Sequence, residues 1–442
     1  LKELQALKAR VQQLEAQVKA QGESSAQQGI DPDEFNRIRV KAESTEDNLA
    51  AQGMKGLKFS GVIDPTYLYS QRQNTSSFSF LNNFASPASG DTSFAFDNSY
   101  FGMAVLDIFK ETDDGTRWHL TLAPHKSAGS NYDFPSIVHE ASVSIPFDGP
   151  QKRWWAGQLP DWSGYEYYFA NQNKFITHNM MFDFLAPTFY TGVGTDTTFG
   201  KWQIKTAVAN LNAPRYNPKP DGSSLKSPIF SVRVDYSKGE FNGWGGALQT
   251  GKTTNNVAGG YSQLNNMELD GYFIRGDWTL QGQVNYGTQK AAAFNGGDAR
   301  WWGLSGLAFY NVTPRMSVGL RADYLNNAKN GGGNFNVFFG SCADPAGGAA
   351  PVACADGRNG FGPGMVLGTD VNGNPLWQVG DPNTGANRMA LALALNYAVN
   401  ASTQLKFELR GDRASLPVFL NVKDGSYTKN NLLFGGSVVV SF

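Results

Sequence analysis

The chain has 442 residues, a formal charge of −1, 13% aromatic residues and 50 glycines, and its mean hydropathy is −0.36. Its longest apolar runs, such as MALALAL at 389–395, fall far short of the ~20 residues that a membrane-spanning helix needs, which excludes a helical membrane protein. Balanced charge without any basic run excludes a nucleic-acid binder, whereas polar mean hydropathy with many aromatics is what a membrane barrel shows, because only alternate residues meet lipid.

The first segment, LKELQALKARVQQLEAQVKAQ (1–21), reads as three heptads. Leu4, Val11 and Val18 occupy a, Leu7, Leu14 and Gln21 occupy d, and Glu3, Lys8, Arg10 and Glu15 fall at g and e, where they would pair between chains. Three heptads are marginal alone, so this is expected to be an oligomerisation helix on a chain that associates elsewhere too. A secretory segment is expected to have been removed ahead of it. A Ser/Gln/Gly linker opens the region 22–55. There Asp31 as N-cap, Pro32 at the first helical position and Glu34 at capping-box spacing predict a second, amphipathic helix over 32–51.

From Gly56 the period switches to two, and the barrel is expected to occupy 56–442. KWQIKTAVANL puts Trp202, Ile204, Thr206 and Val208 on one face with Lys205 opposite. FSVRVDY opposes Phe230, Val232, Val234 and Tyr236 to Arg233 and Asp235, and MSVGLRADY opposes Met316, Val318, Leu320 and Tyr324 to Arg321 and Asp323. QLKFELRGD sets Leu405, Phe407 and Leu409 against Lys406, Glu408, Arg410 and Asp412. Such alternation predicts strands with one apolar and one wet face.

Short turns at 113–115, 148–151, 199–201, 237–240, 276–278, 311–314 and 400–403 alternate with longer polar segments near 71–94, 126–137, 161–186, 213–226, 253–264, 291–299, 328–385 and 414–430. Fifteen connections give sixteen strands, with eighteen as the alternative count. Short on one side and long on the other is the pattern of a transmembrane antiparallel β-barrel, with both barrel ends on the short-turn side. Trp118, Phe147, Trp154, Trp155, Trp202, Tyr236, Trp244, Trp278, Tyr310, Tyr397 and Phe442 all lie near a short turn or the C-terminus and predict one interfacial girdle. The closing LLFGGSVVVSF places Leu432, Phe434, Val438, Val440 and Phe442 on the lipid side of a last strand that pairs with the first near GLKFSGVID (56–64).

A last strand of this kind resembles the assembly signal of Gram-negative outer-membrane porins. The heptads, GLKFSGVIDPTYLYS entering the first strand, and WWAGQLPDWSGYEYYF ahead of the third long loop resemble the DcaP-like and phosphate-selective porin groups. These carry an N-terminal periplasmic coiled coil before a sixteen-stranded barrel. The resemblance implies a homotrimer in outer-membrane lipid, with the N-terminus in the periplasm and the third loop folded into the lumen.

For chemistry the sequence offers little. The four histidines, His119, His125, His139 and His178, form no H-E-x-x-H pattern and G-x-S-x-G is absent. HEAS (139–142) reads as polar loop-edge residues rather than as the start of an esterase or phospholipase site, so no enzyme is expected. DVNGNPLWQVGD (370–381) has calcium-loop offsets at Asp370, Asn372, Asn374 and Asp381, but Pro375 replaces the required glycine and an Asn/Gly turn is the plainer reading. No cofactor or metal is expected. Cys342 and Cys354 are the two ends of a 13-residue Gly/Pro/Ala-rich stretch in which a disulfide would contribute about 3 kcal/mol, against two free thiols as the alternative.

The third loop (161–186) is the best functional segment: Asp161, Tyr165, Glu166, Lys174, His178 and Asp183 would narrow the pore and set its field. An outward loop packing on a neighbouring subunit is the other reading. Pore-lining charge is expected from Lys205, Arg233, Asp235, Arg321, Asp323, Lys406, Glu408, Arg410 and Asp412. The first 52 residues hold seven Lys/Arg and nine Asp/Glu, which leaves 37 − 7 = 30 against 38 − 9 = 29 in the rest. That even mixture lacks the basic ladder of a phosphate channel. The expectation is therefore a porin that passes small hydrophilic solutes by diffusion, with a weak anion preference. The alternatives are a channel preferring sugars or small carboxylates, and a structural or surface-interaction barrel plugged by 328–385 or the N-terminal helices.

Overall fold

The computed structural model describes residues 36–41, 44, 54–72, 74–81, 101–123, 137–212, 228–255, 257–258, 260–333, 360–421 and 423–442. Residues 36–41 are helical, within the expected second helix. The heptads, Cys342 and Cys354 lie outside the described residues. No described helix is long and apolar enough to cross a membrane, and strands do the crossing.

The barrel sheet consists of eighteen hydrogen-bonded segments. Two pairs of these are halves of one interrupted strand, so the closed antiparallel barrel has sixteen strands. They are β1 (Leu57–Ile63 with Thr66–Ser70), β2 (Thr75–Ser79 with Ala104–Glu111), β3 (Arg117–Leu122), β4 (Val138–Pro146), β5 (Lys152–Pro160), β6 (Phe189–Phe199), β7 (Trp202–Leu211) and β8 (Ile229–Gly239). The circuit continues through β9 (Asn242–Asn255), β10 (Gly260–Arg275), β11 (Trp278–Gln289), β12 (Ala299–Asn311), β13 (Met316–Asn326), β14 (Arg388–Ala398), β15 (Thr403–Ala414) and β16 (Asn430–Ser441). Each pairs with the next, and β16 closes on β1 with Val62 opposite Ser441 and Thr66 opposite Ser437. Closure leaves no strand edge unpaired in lipid.

Side-chain alternation follows the predicted phase. Leu432, Phe434, Val438, Val440 and Phe442 are exposed on the outer surface of β16, as are Leu320 on β13, Leu409 on β15 and Leu391, Leu393 and Leu395 on β14. Aromatic contacts near the short turns join Trp202, Tyr236 and Trp244, Trp278 to Tyr310, and Phe147 to Trp154. Trp155 is the exception to the girdle. It points inward, 5% exposed, and its Nε1 donates to the Thr206 carbonyl at 3.0 Å. Adjacent tryptophans on a strand must face opposite ways, and Trp154 holds the outer face.

The seven short turns are in place, but two long loops differ from expectation. The segment 253–264 is mostly strand, because β9 and β10 extend until Asn255 faces Gly260. The expected loop at 71–94 also begins later, because the serine-rich TSSFS (75–79) pairs with TYLYS (66–70), Ser70 opposite Thr75. Residues 80–103 instead interrupt β2, and 82–100 lie outside the described residues. The base of this interruption is closed by Leu81 N–H donating to the Gly102 carbonyl at 2.7 Å, with Gly102 at φ +70° where a Cβ would lie 2.5 Å from the Ser79 carbonyl oxygen. β1 is broken opposite it at Asp64–Pro65. The Asp64 carboxylate accepts the N–H groups of Gly102 at 2.9 Å and Met103 at 2.7 Å, which the broken ladder would otherwise leave bare.

Beyond the barrel, Met365–Thr369 and Pro375–Val379 form a hairpin within 328–385. DVNGNP is its turn: Asp370 accepts from the N–H groups of Asn372 and Asn374, both at 2.8 Å, and the Asn374 side-chain hydrogen bond holds its carboxyl below the usual range.

Candidate functional site

The segment between β5 and β6 turns into the barrel. Its path is set by charged side chains on the inner faces of strands across the lumen, which bind its backbone. Glu408 on β15 accepts the N–H groups of Ile176 at 2.7 Å and Thr177 at 2.8 Å and the Thr177 hydroxyl at 2.5 Å. Arg321 on β13 donates to the Thr177 carbonyl at 2.6 Å, the His178 carbonyl at 2.8 Å and Glu166 at 3.1 Å. Arg410 on β15 donates to the Thr177 hydroxyl at 3.0 Å and to Asp412 at 3.1 Å. The Lys406 ammonium donates to the carbonyls of Ala170 and Asn173. An extended loop has many unpaired backbone groups, and in a confined interior each needs a partner. Here the wall supplies them.

The loop then forms a five-residue helix, α1 (Met180–Phe184), with Asn179 as N-cap accepting Phe182 N–H at 2.8 Å. Glu166 in turn accepts Asn179 N–H at 2.6 Å. Met180, Met181 and Phe184 pack in one apolar cluster with Trp155, Tyr190 and Trp301, and Tyr168 and Phe182 pack in another with Val62, Met103 and Val439. Arg388 on β14 binds Asp412 at 2.8 Å and lies over the rings of Phe184, Phe361 and Phe419. Apolar packing and ionic ties therefore act on the same loop.

All six expected loop residues fall in this assembly, with different surroundings. Asp161 accepts from the Ser163 N–H at 3.0 Å and the Tyr190 hydroxyl at 2.6 Å. The Tyr165 hydroxyl bonds Ser305 at 2.5 Å, which reaches Asp323 at 2.6 Å. His178 stacks on Phe182 with centroids 4.2 Å apart and contacts the Tyr167 carbonyl through Nε2 at 2.6 Å. Lys174 is exposed, with its ammonium 5.8 Å from the Phe309 ring, while Asp183 is buried in α1.

The nine expected wall charges all occupy inward-facing positions and divide into two groups. Arg321, Asp323, Lys406, Glu408, Arg410 and Asp412 are buried under the loop; Arg321 and Arg410 have 0% exposure and Lys406 1%. Lys205, Arg233 and Asp235 instead line a cavity of about 590 Å³. Arg233 is held there by Asp235 and Asp270, each at 2.7 Å, and by Glu268 at 3.3 Å.

His139 and Glu140 of HEAS, expected as polar loop-edge residues, are instead buried beside His119. His119 on β3 lies between Asp107 on β2 at 2.8 Å and Glu140 on β4 at 2.9 Å. A register shift between Thr121 and Leu122 places a bulge at His139, so that His139 and Glu140 are both buried, and His139 packs on Tyr168 and Phe169. Ser142 donates to Glu140 at 2.7 Å. Charges alternating with apolar residues in MELDGYF (267–273) carry the same signal that marked Arg321. Among the described residues no group of three or more His, Cys, Asp or Glu side chains is placed to hold a metal ion.

The family model described as "Protein of unknown function (DUF3138)" matches residues 6–442. The chain belongs to the DUF3138 family. No curated protein matches it in sequence. Among solved structures, the DUF3138 barrel is similar to the anion-selective porin from Comamonas acidovorans, with TM-score 0.53 and 12% identity over 87% of this chain and 99% of that one. OmpF of Salmonella typhi in complex with daunomycin gives 0.49 and 8%, over 87% and 97%. The trimer form of OmpT, an outer membrane protein of Vibrio cholerae, gives 0.48 and 9%, over 87% and 99%. At 12% identity, what the Comamonas porin shares with this chain is the fold.

Proposed function

We propose that this DUF3138 protein is an outer-membrane channel through which small hydrophilic solutes diffuse. The observation that carries the reading is a closed barrel, apolar outside, whose inward loop leaves a cavity lined by polar and charged side chains. A protein that only needed to sit in the membrane would gain stability by filling its interior with apolar groups. The porin fold of the Comamonas neighbour supports the reading, although fold alone does not carry function. Both barrel ends lie on the short-turn side, which supports a periplasmic N-terminus, with residues 1–21 as an oligomerisation helix and 22–55 as a linker with its short helix. The barrel associates as a homotrimer in outer-membrane lipid. Loop 161–186 forms the constriction, with Asp161, Tyr165 and Glu166 facing the cavity. The expected weak anion preference rested on five cations, and three of them, Arg321, Arg410 and Lys406, have no free surface to offer an ion.

A plugged barrel is the second reading, favoured by one contact. Phe101, at the end of the 80–103 interruption, packs with Leu68, Leu433 and the loop's Ile176, so two segments meet in the interior. Conductance of the purified protein in a planar bilayer separates the readings: stepwise current increments are expected for a channel, and a silent bilayer with correctly folded protein would support the plug.

A further inference from the structure

We infer that the space on the short-turn side of the loop favours small organic cations, and that these rather than anions are the preferred solutes; this rests on the channel reading above. Arg321, Arg410 and Lys406 spend their N–H groups on loop carbonyls and on Glu166 and Asp412, with at most 1% exposure. They hold the constriction and do not border the space that a solute crosses.

What does border it is acidic. The 590 Å³ cavity is lined by six carboxylates, Glu140, Asp161, Glu166, Asp196, Asp235 and Asp270. Against them stand Arg117, Lys205 and Arg233, with Arg321 already paired to Glu166, so with all six ionised the count stays negative by only one charge when His119 is added as a cation. Arg233 is already claimed by Asp235, Asp270 and Glu268, and Lys205 faces Asp196 across the β6–β7 ladder. A neighbouring cavity of about 440 Å³ shares Glu140 and Asp161, adds Asp107, and has His119 and His139 as its basic side chains. A space of 590 Å³ has a radius of about 5 Å, less than the ~8 Å Debye length in physiological salt, so these charges act together on an ion inside.

The same walls carry aromatic faces. Trp162, Tyr165 and Tyr167 line the cavity, and the Trp162 ring lies tilted against Tyr190 with centroids 4.6 Å apart. Rings beside carboxylates attract a soft ammonium group, through the ring quadrupole and through charge, and repel an anion of the same size. This differs from the anion-selective Comamonas porin, with which the chain shares its fold.

The test uses the full-length protein and two readouts. In a planar bilayer with a tenfold KCl gradient at neutral pH, the reversal potential should take the cationic sign, with a potassium-to-chloride permeability ratio of about 3 or more. Asp196→Asn with Asp235→Asn, which leaves Arg233 its Asp270 partner, should lower that ratio towards 1 in protein whose folded barrel is verified by heat-shifted migration, a mobility in SDS gels that changes on boiling. Asp196→Asn alone should lower it by less. A chloride-favouring potential in the wild type, or no change in the variants, would overturn the inference while the channel reading stood. In detergent solution, benzyltrimethylammonium should bind about tenfold more tightly than benzenesulfonate, an anion of similar size. Equal affinities would also count against cation preference. Cation-selective binding without any current would leave the inference standing for the cavity and remove the channel reading.

Discussion

Two stretches of barrel wall carry the same sequence pattern and use it in opposite ways. On β13 and β15, charged residues alternate with leucines, and every inward charge from Arg321 to Asp412 is buried under the loop. On β6 to β8 the same alternation leaves Asp196, Lys205 and Asp235 facing open space. The difference lies in what the loop covers. Where it lies on the wall, charges become tethers whose partners are backbone groups. Where it stands clear, charges remain available to solutes. Strand phase decides which face a charge occupies, and the loop decides what it does there.

This contrast breaks most visibly at Glu408. Glu408→Ala removes the acceptor of two loop N–H groups and a hydroxyl and leaves Arg321, 3.9 Å away, with one anion fewer. Breaking a buried charged pair costs about 3–5 kcal/mol. The urea concentration that abolishes the compact, heat-shifted form should fall clearly; no change would mean that the loop is held by packing alone.

Asp64→Ala should come next, since it strips the acceptors from Gly102 and Met103 N–H at the break in β1. Each buried donor left bare costs about 1–3 kcal/mol. Hydrogen exchange at Gly102 and Met103 should accelerate while amides of β9 to β12 keep their protection. Uniform acceleration around the barrel would show the break to be global rather than local.

On the open side the expected effects change character. Lys205→Gln should alter stability by no more than about 0.5 kcal/mol, as for a surface substitution, yet shift the reversal potential further towards cations. A large loss of stability would mean that Lys205 is a tether after all. Deleting residues 1–52 should matter least for the barrel, because its ladder lies within 57–442. Heat-shifted migration should persist, and trimer stability should weaken if the heptads clamp three chains.

The sequence made the strands legible because period-two alternation is a direct physical consequence of one face meeting lipid. The phase of β13, β15 and β16 follows from single residues such as Ala322, Phe407 and Phe434, each exposed where its neighbours are buried. Less legible was whatever depends on pairing at a distance. TSSFS looks like a loop until TYLYS pairs with it, and nothing local to Thr253 or Asn255 shows that β9 and β10 extend that far. The site divides along the same line. Loop 161–186 stood out by its aromatics and charge, but that Thr177 and His178 receive Arg321 and Arg410 requires contacts some 144 and 233 residues apart. Arg388 is the single charged residue of its strand, and Asp64 and the Asp107–His119–Glu140 cluster become significant only through the neighbours that closure brings.

The measurement that tests this account most directly is unit conductance in a planar bilayer, wild type against Glu408→Ala, both verified as folded by heat-shifted migration. With the loop tied across the interior, the wild type should conduct in small uniform steps. Releasing the tether should raise the step by about twofold, as the constriction widens. Equal steps in the two proteins would contradict the claim that the charges on β13 and β15 hold the constriction in place.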